Sequence, residues 1–121
     1  MAILKTLKNA VLGLKDLEVT GDMSVRALQN LFTEQFGTGI RVYKLNSEGK
    51  ISTGRGAKPA DASATITSIS SGNVGIITLK KNMSVKEAEN AFSSLLGVGV
   101  QIEDKEGKLA NDQVRLSDLN K

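Results

Sequence analysis

Residues 23–44, MSVRALQNLFTEQFGTGIRVYK, are echoed at residues 83–104 by MSVKEAENAFSSLLGVGVQIED. Val25, Leu28, Leu31, Phe32 and Phe36 recur at three- and four-residue intervals in the first stretch, and Val85, Ala88, Phe92 and Leu95 or Leu96 do so in the second. That spacing puts each set on one face of a helix. Ser24 stands where the first helix needs a cap, and Ser84 with Glu87 forms the S-x-x-E capping-box pattern of the second. Both helices are expected to stop at glycine, Gly37 and Gly97, where a left-handed residue costs least.

Short β-branched runs follow each stop. Ile40 and Val42 should face inward with Arg41 and Tyr43 on the other side, and Val100 with Ile102 should be the inward pair of the second copy. Strands are also expected before each helix, around Leu17–Val19 and in NVGIITLKK from Asn73. The order is βαβ twice, so the expected fold is α+β: a ferredoxin-like βαββαβ sandwich of two fused repeats, one four-stranded sheet carrying two helices. The units are residues 14–69 and 74–119 of a single domain, 1–121. The stretch MAILKTLKNAVLG has no partner in the second copy and is expected to add a further helix or edge strand.

The match resumes where ADASATITSI at Ala60 aligns with ANDQVRLSDL at Ala110, in a register about ten residues tighter. The first copy therefore carries an insertion, placed mostly in KISTGRGAKP. Each tail is expected to form a turn and a short helical cap, with an extra strand as the other possibility. The segment STGRGAK lacks the G-x-x-x-x-G-K-[ST] spacing of a phosphate loop and reads as an exposed basic connection.

With neither cysteine nor histidine among 121 residues, disulfide staples, thiolate metal sites and imidazole catalysis are excluded. Ser24 and Ser84 are caps rather than nucleophiles, and Glu103, Asp104, Glu106 and Asp112 do not follow a calcium-loop spacing. No enzyme, cofactor or metal is expected. The chain offers neither a secretory signal nor a membrane span, so a cytoplasmic protein is expected.

The formal charge of +3 is small, but its distribution is uneven. Arg41, Lys44, Lys50, Arg55 and Lys58 face a single acid, Glu48, between residues 38 and 60, while the second tail leans acidic. Arg41, Tyr43, Lys44, Lys50, Arg55 and Lys58 are the candidate partner-binding residues. They suggest a non-enzymatic protein-binding or structural adaptor module, its partner another protein or a second copy drawn by the opposite charge leanings. The alternative is weak binding of single-stranded nucleic acid or another polyanion, with Tyr43 stacking and Arg41 on phosphate.

Phe36-Gly37 with Ile40 to Lys44, then Ala60-Asp61 and Thr65-Ile66, resembles a small bacterial domain family whose units read roughly FG-x-x-h-RVYK and AD-x-x-T-L. Leu96-Gly97, Val100 to Ile102 and Leu109 to Asn111 resemble its second half, so the likeness spans most of residues 19–119. Leu96 in place of phenylalanine and the insertion after Lys50 depart from the pattern. The resemblance implies no catalytic residue.

Overall fold

The protein is described by a computed structural model over residues 16–72 and 75–121. The expected N-terminal element lies outside the described residues. The order is β1 (Leu17–Val19), α1 (Val25–Phe36), β2 (Ile40–Tyr43), β3 (Ile77–Leu79), α2 (Val85–Ala91) and β4 (Gly99–Ile102), with 3₁₀ turns at Thr67–Ile69 and Leu116–Asp118. The fold is mixed α and β, and both helices stand where the apolar stripes place them.

The strands pair differently from the expected sandwich. β1 runs antiparallel to β3, with Leu17 opposite Leu79 and Val19 opposite Ile77. β2 runs antiparallel to β4, with Ile40 opposite Ile102 and Tyr43 opposite Gly99. These are two separate two-stranded sheets, so the single four-stranded ferredoxin-like sheet is not confirmed. Each strand pairs with its counterpart in the other half, and three- or four-residue strands carry no sequence signal that selects a partner.

Isolated hairpin-sized sheets are marginal in water. Here they are held by one apolar cluster to which both halves contribute: Leu28, Phe32, Ile40, Val42 and Ile66 of the first pack with Leu79, Phe92, Leu96, Ile102 and Leu116 of the second. Phe32 and Phe36 stack at a tilt, with centroids 4.9 Å apart.

The tails after the strands complete the helices. The first amides of α1, on Val25 and Arg26, donate to the carbonyls of Ala64 and Ala62; those of α2, on Val85 and Lys86, donate to Val114 and Asp112. Ser24 Oγ accepts from Ala27 N at 3.0 Å, and Ser84 and Glu87 close a full capping box. Amides that a helix start leaves orphaned are thus taken by the chain itself. The expected turn and helical cap are present in both tails, joined by single bridges, Ser24 to Thr65 and Ser84 to Arg115.

The halves also interlock at the helix stops. Gly37 and Gly97 both adopt left-handed conformations, φ 82° and 64°. A Cβ on Gly97 would lie 2.7 Å from Ser70 Oγ, and one on Gly37 would lie 2.8 Å from Asn120 Cγ. Each half's tail therefore lies on the other half's glycine. One difference separates the helices: α1 stays regular to Phe36, whereas α2 passes into a π turn at Phe92–Leu96.

Candidate functional site

The six candidate residues divide into two groups. Arg41 and Tyr43 lie in β2 and are committed to its pairing with β4. Arg41 Nε donates to Glu103 Oε2 at 2.8 Å, and its Nη2 donates to the carbonyl of Gly107 at 3.0 Å. The Glu103 hydrogen bond, and after it Tyr43, raises the guanidinium further above its ordinary range, so Arg41 stays charged. Tyr43 is buried, only 8% exposed, and its hydroxyl donates to Gln101 Oε1 at 2.8 Å. The alternation predicted an outward Tyr43 ring. Residues 51–53 lie against the backbone of Gly99, directly across the ladder from Tyr43, and a Cβ there would meet Ser52 O at 2.8 Å. The insertion folds back on the sheet, and no open aromatic is left to stack on a base.

Lys44, Lys50, Arg55 and Lys58 are all exposed and lie in or beside the inserted segment. The insertion is built in two steps. In the second half, Asp104 N donates to Lys108 O, Gly107 N to Asp104 O, and the Asp104 carboxylate accepts from the amides of Glu106 and Lys108. Asn46 makes the same set with Lys50, Gly49 and Glu48. NSEGK and DKEGK are therefore one turn, with Gly49 and Gly107 at φ 74° and 80°.

Around that shared turn the first half has two additional residues before it, Lys44 and Leu45, and eight after it, residues 51–58. The latter segment turns at Gly54 and Gly56, both at positive φ, and comes back beside β2. Lys44 N donates to Lys58 O at 3.0 Å, Ala60 N donates to Val42 O at 2.9 Å, and Tyr43 bridges Pro59. In the second half Glu103 bridges Leu109 and Ala110 N donates to Ile102 O, so the ladder position of Lys44 and Lys58 corresponds to that of Asp104 and Lys108.

A cleft of about 460 Å³ opens between the turn and the returning segment. Lys44, Leu45, Asn46, Ser47, Ser52, Gly56, Ala57 and Lys58 line it, and no carboxylate is among them. Sequence reasoning missed Asn46, Ser47 and Ser52 as lining groups; the NSEGK and DKEGK match, read with its two-residue offset, is the signal that places them.

The acidic leaning of the second tail is largely spent within the chain. Glu103 pairs with Arg41, and Asp118 pairs with Lys121 at 2.9 Å. What remains there, Asp104, Glu106 and Asp112, is matched in number by Lys105, Lys108 and Arg115. Among the described residues no group of three or more carboxylates is placed to hold a metal ion. No helix among them is long and apolar enough to cross a membrane.

No family model, curated protein or solved structure matches the chain.

Proposed function

We propose that this chain is a non-enzymatic protein-binding module in which the insertion after β2 docks an acidic partner. The observation that carries the reading is the unbalanced charge of that segment. With Arg41 engaged by Glu103, the exposed cations Lys44, Lys50, Arg55 and Lys58 face only Glu48, and the described residues give none of these four an ion pair. The second half, which makes the same turn without the extra residues, supports the idea that the first half's addition serves recognition rather than folding. Self-association by opposite charge is the less favoured version, because the second half's acids are already offset. The polyanion alternative keeps its electrostatic part and loses its stacking part with the burial of Tyr43.

The fold reading that accompanies this proposal is a duplicated unit whose halves exchange strand pairing and tails, related to the small bacterial family that FGTGIRVYK and ADASATI resemble. A ferredoxin-like description requires the two sheets to be joined, and the pairing favours the exchanged arrangement instead.

Chemical cross-linking in cell extract, followed by identification of the joined peptides, tests the function. The wild-type chain should cross-link through residues 44–58 to acidic segments, and the triple variant Lys50→Ala, Arg55→Ala, Lys58→Ala should lose those products while melting normally. Products unchanged by the triple substitution, or dominated by nucleic acid, would overturn the protein-docking reading.

A further inference from the structure

We infer that the cleft between Lys44 and Lys58 is a carboxylate-binding site that receives a Glu or Asp side chain of an acidic peptide. The inference rests on the docking role proposed for the insertion and narrows it to one pocket. Three observations carry it.

The first is the ladder. Lys44 N to Lys58 O, with the Tyr43 to Pro59 bridge beside it, sets the two lysines opposite one another. Directly opposed side chains share a face, and like charges there are destabilising. Both line the same cleft. The second is the comparison within the molecule. The same ladder position in the other half sets Asp104 opposite Lys108, so a pair of like charges there is not a requirement of the architecture. The third is the rest of the lining. Ser47 and Ser52 supply hydroxyls and Asn46 supplies an amide nitrogen, since its oxygen is taken by the turn amides of Glu48 and Lys50. Leu45 and Ala57 supply apolar surface for a methylene stem.

Two ammonium groups, neutral donors and a small apolar wall fit a carboxylate on a short chain. A bound carboxylate would set a negative charge beside Lys44 and Lys58, as the ladder sets Asp104 opposite Lys108. A peptide is favoured over a free small anion because the cleft lies on an exposed loop whose other cations, Lys50 and Arg55, stand ready for neighbouring acidic residues of the same segment.

The decisive variant is Lys58→Glu, which sets opposite charges across the ladder as in the second half. It should abolish the site and leave the fold as stable as wild type or more so, a combination that a merely structural lysine would not give. The probe is the blocked hexaglutamate peptide, titrated into the labelled chain and followed by amide NMR, with inorganic phosphate at matched ionic strength and Lys105→Glu as a charge-matched control. The expected result is saturable shifts at Lys44, Asn46, Ser47, Ser52 and Lys58, weakened at least about tenfold by Lys58→Glu and unaltered by Lys105→Glu. Phosphate should give smaller, non-saturating shifts.

Equal weakening by both variants, or peptide shifts spread over all exposed lysines, would overturn the site. Saturation by phosphate but not by peptide would overturn the peptide assignment. If the peptide binds and responds to Lys50→Ala with Arg55→Ala but not to Lys58→Glu, the docking role stands and the pocket falls; if the peptide binds nowhere, both fall.

Discussion

Arg41 reaches diagonally across the β2–β4 ladder to Glu103, and Gln101, which sits opposite Arg41, receives the hydroxyl of Tyr43 along the parallel diagonal. The two contacts occupy corresponding positions of the two halves, one charged and one neutral. Each closes over a glycine at the end of the opposing strand. Tyr43 stands opposite Gly99, and a Cβ on Gly39 would collide with the Glu103 carboxylate.

Both diagonals hold the sheet, so Arg41 and Tyr43 are expected to act through stability. Tyr43→Phe should cost about 1 kcal/mol through the lost hydrogen bond and leave binding of the hexaglutamate peptide unchanged. Arg41→Ala should lower the melting temperature with the same indifference in binding. Paired thermal melts and titrations check this, and a binding loss without a stability loss in either variant would return that residue to the interface.

Gly99 lets the insertion lie on the sheet. Gly99→Ala would place a Cβ 2.8 Å from both Ser52 O and Thr53 Cγ2. The backbone contact cannot yield without moving the segment. Hydrogen exchange should therefore speed up at residues 51–58 and at the Lys44 amide, while the amides of α1 keep their protection. Unchanged exchange in the insertion would show that it does not rest on β4.

Thr38 carries a buried hydroxyl with no hydrogen-bond partner among the described residues, and its counterpart Val98 is fully buried and apolar. An unsatisfied buried hydroxyl costs about 1–3 kcal/mol. Thr38→Val should stabilise the chain by about 1 kcal/mol in urea unfolding, with no change in the slope. A destabilised variant would mean that the hydroxyl has a partner.

Carboxylates give the stability a two-sided dependence on pH. Hydrogen bonds from the Ser63 side chain and then its backbone lower Asp61 below its ordinary range, and bonds from the Ser84 backbone and then its side chain lower Glu87. Their contributions are present at neutral pH and fade as pH falls through the lowered values. Glu89 behaves oppositely. Burial raises it above the ordinary 4.5, against the bond it accepts from Ile102 N, so its contribution is full below 4.5 and is lost as pH rises through the raised value. Glu89→Gln should therefore gain on the wild type between pH 4 and 7, as its counterpart Gln29, bonded to Ile40 O, suggests. A constant difference across that range would refute the assignment.

The helices, their caps and their glycine stops were legible because each rests on local chemistry: i, i+3 and i+4 apolar spacing, a serine hydroxyl within reach of an amide, a residue without Cβ. Ile40, Val42, Val100 and Ile102 were legible as inward for the same reason. Sheet pairing was not, since it depends on which half's strand arrives beside Leu17 or Ile40. The candidate site was half legible. Charge counting marked Lys44, Lys50, Arg55 and Lys58; Tyr43 keeps the face it shares with Arg41 but is buried there, because residues 51–53 pack against Gly99 opposite it. Alternation describes a strand with one wet face, and here residues 51–53 help to cover that face.

If the added residues recognise a partner and the rest of the chain folds without them, removing them should separate the two roles. Excision of Lys44–Leu45 and of residues 51–58 leaves the first half with the turn length of the second. Calorimetric titration with the hexaglutamate peptide, on a chain first shown by its melt to be folded, should register no binding, whereas the intact chain binds with an affinity that falls as salt rises. Undiminished binding by the folded, excised chain would show that the added residues do not recognise the peptide.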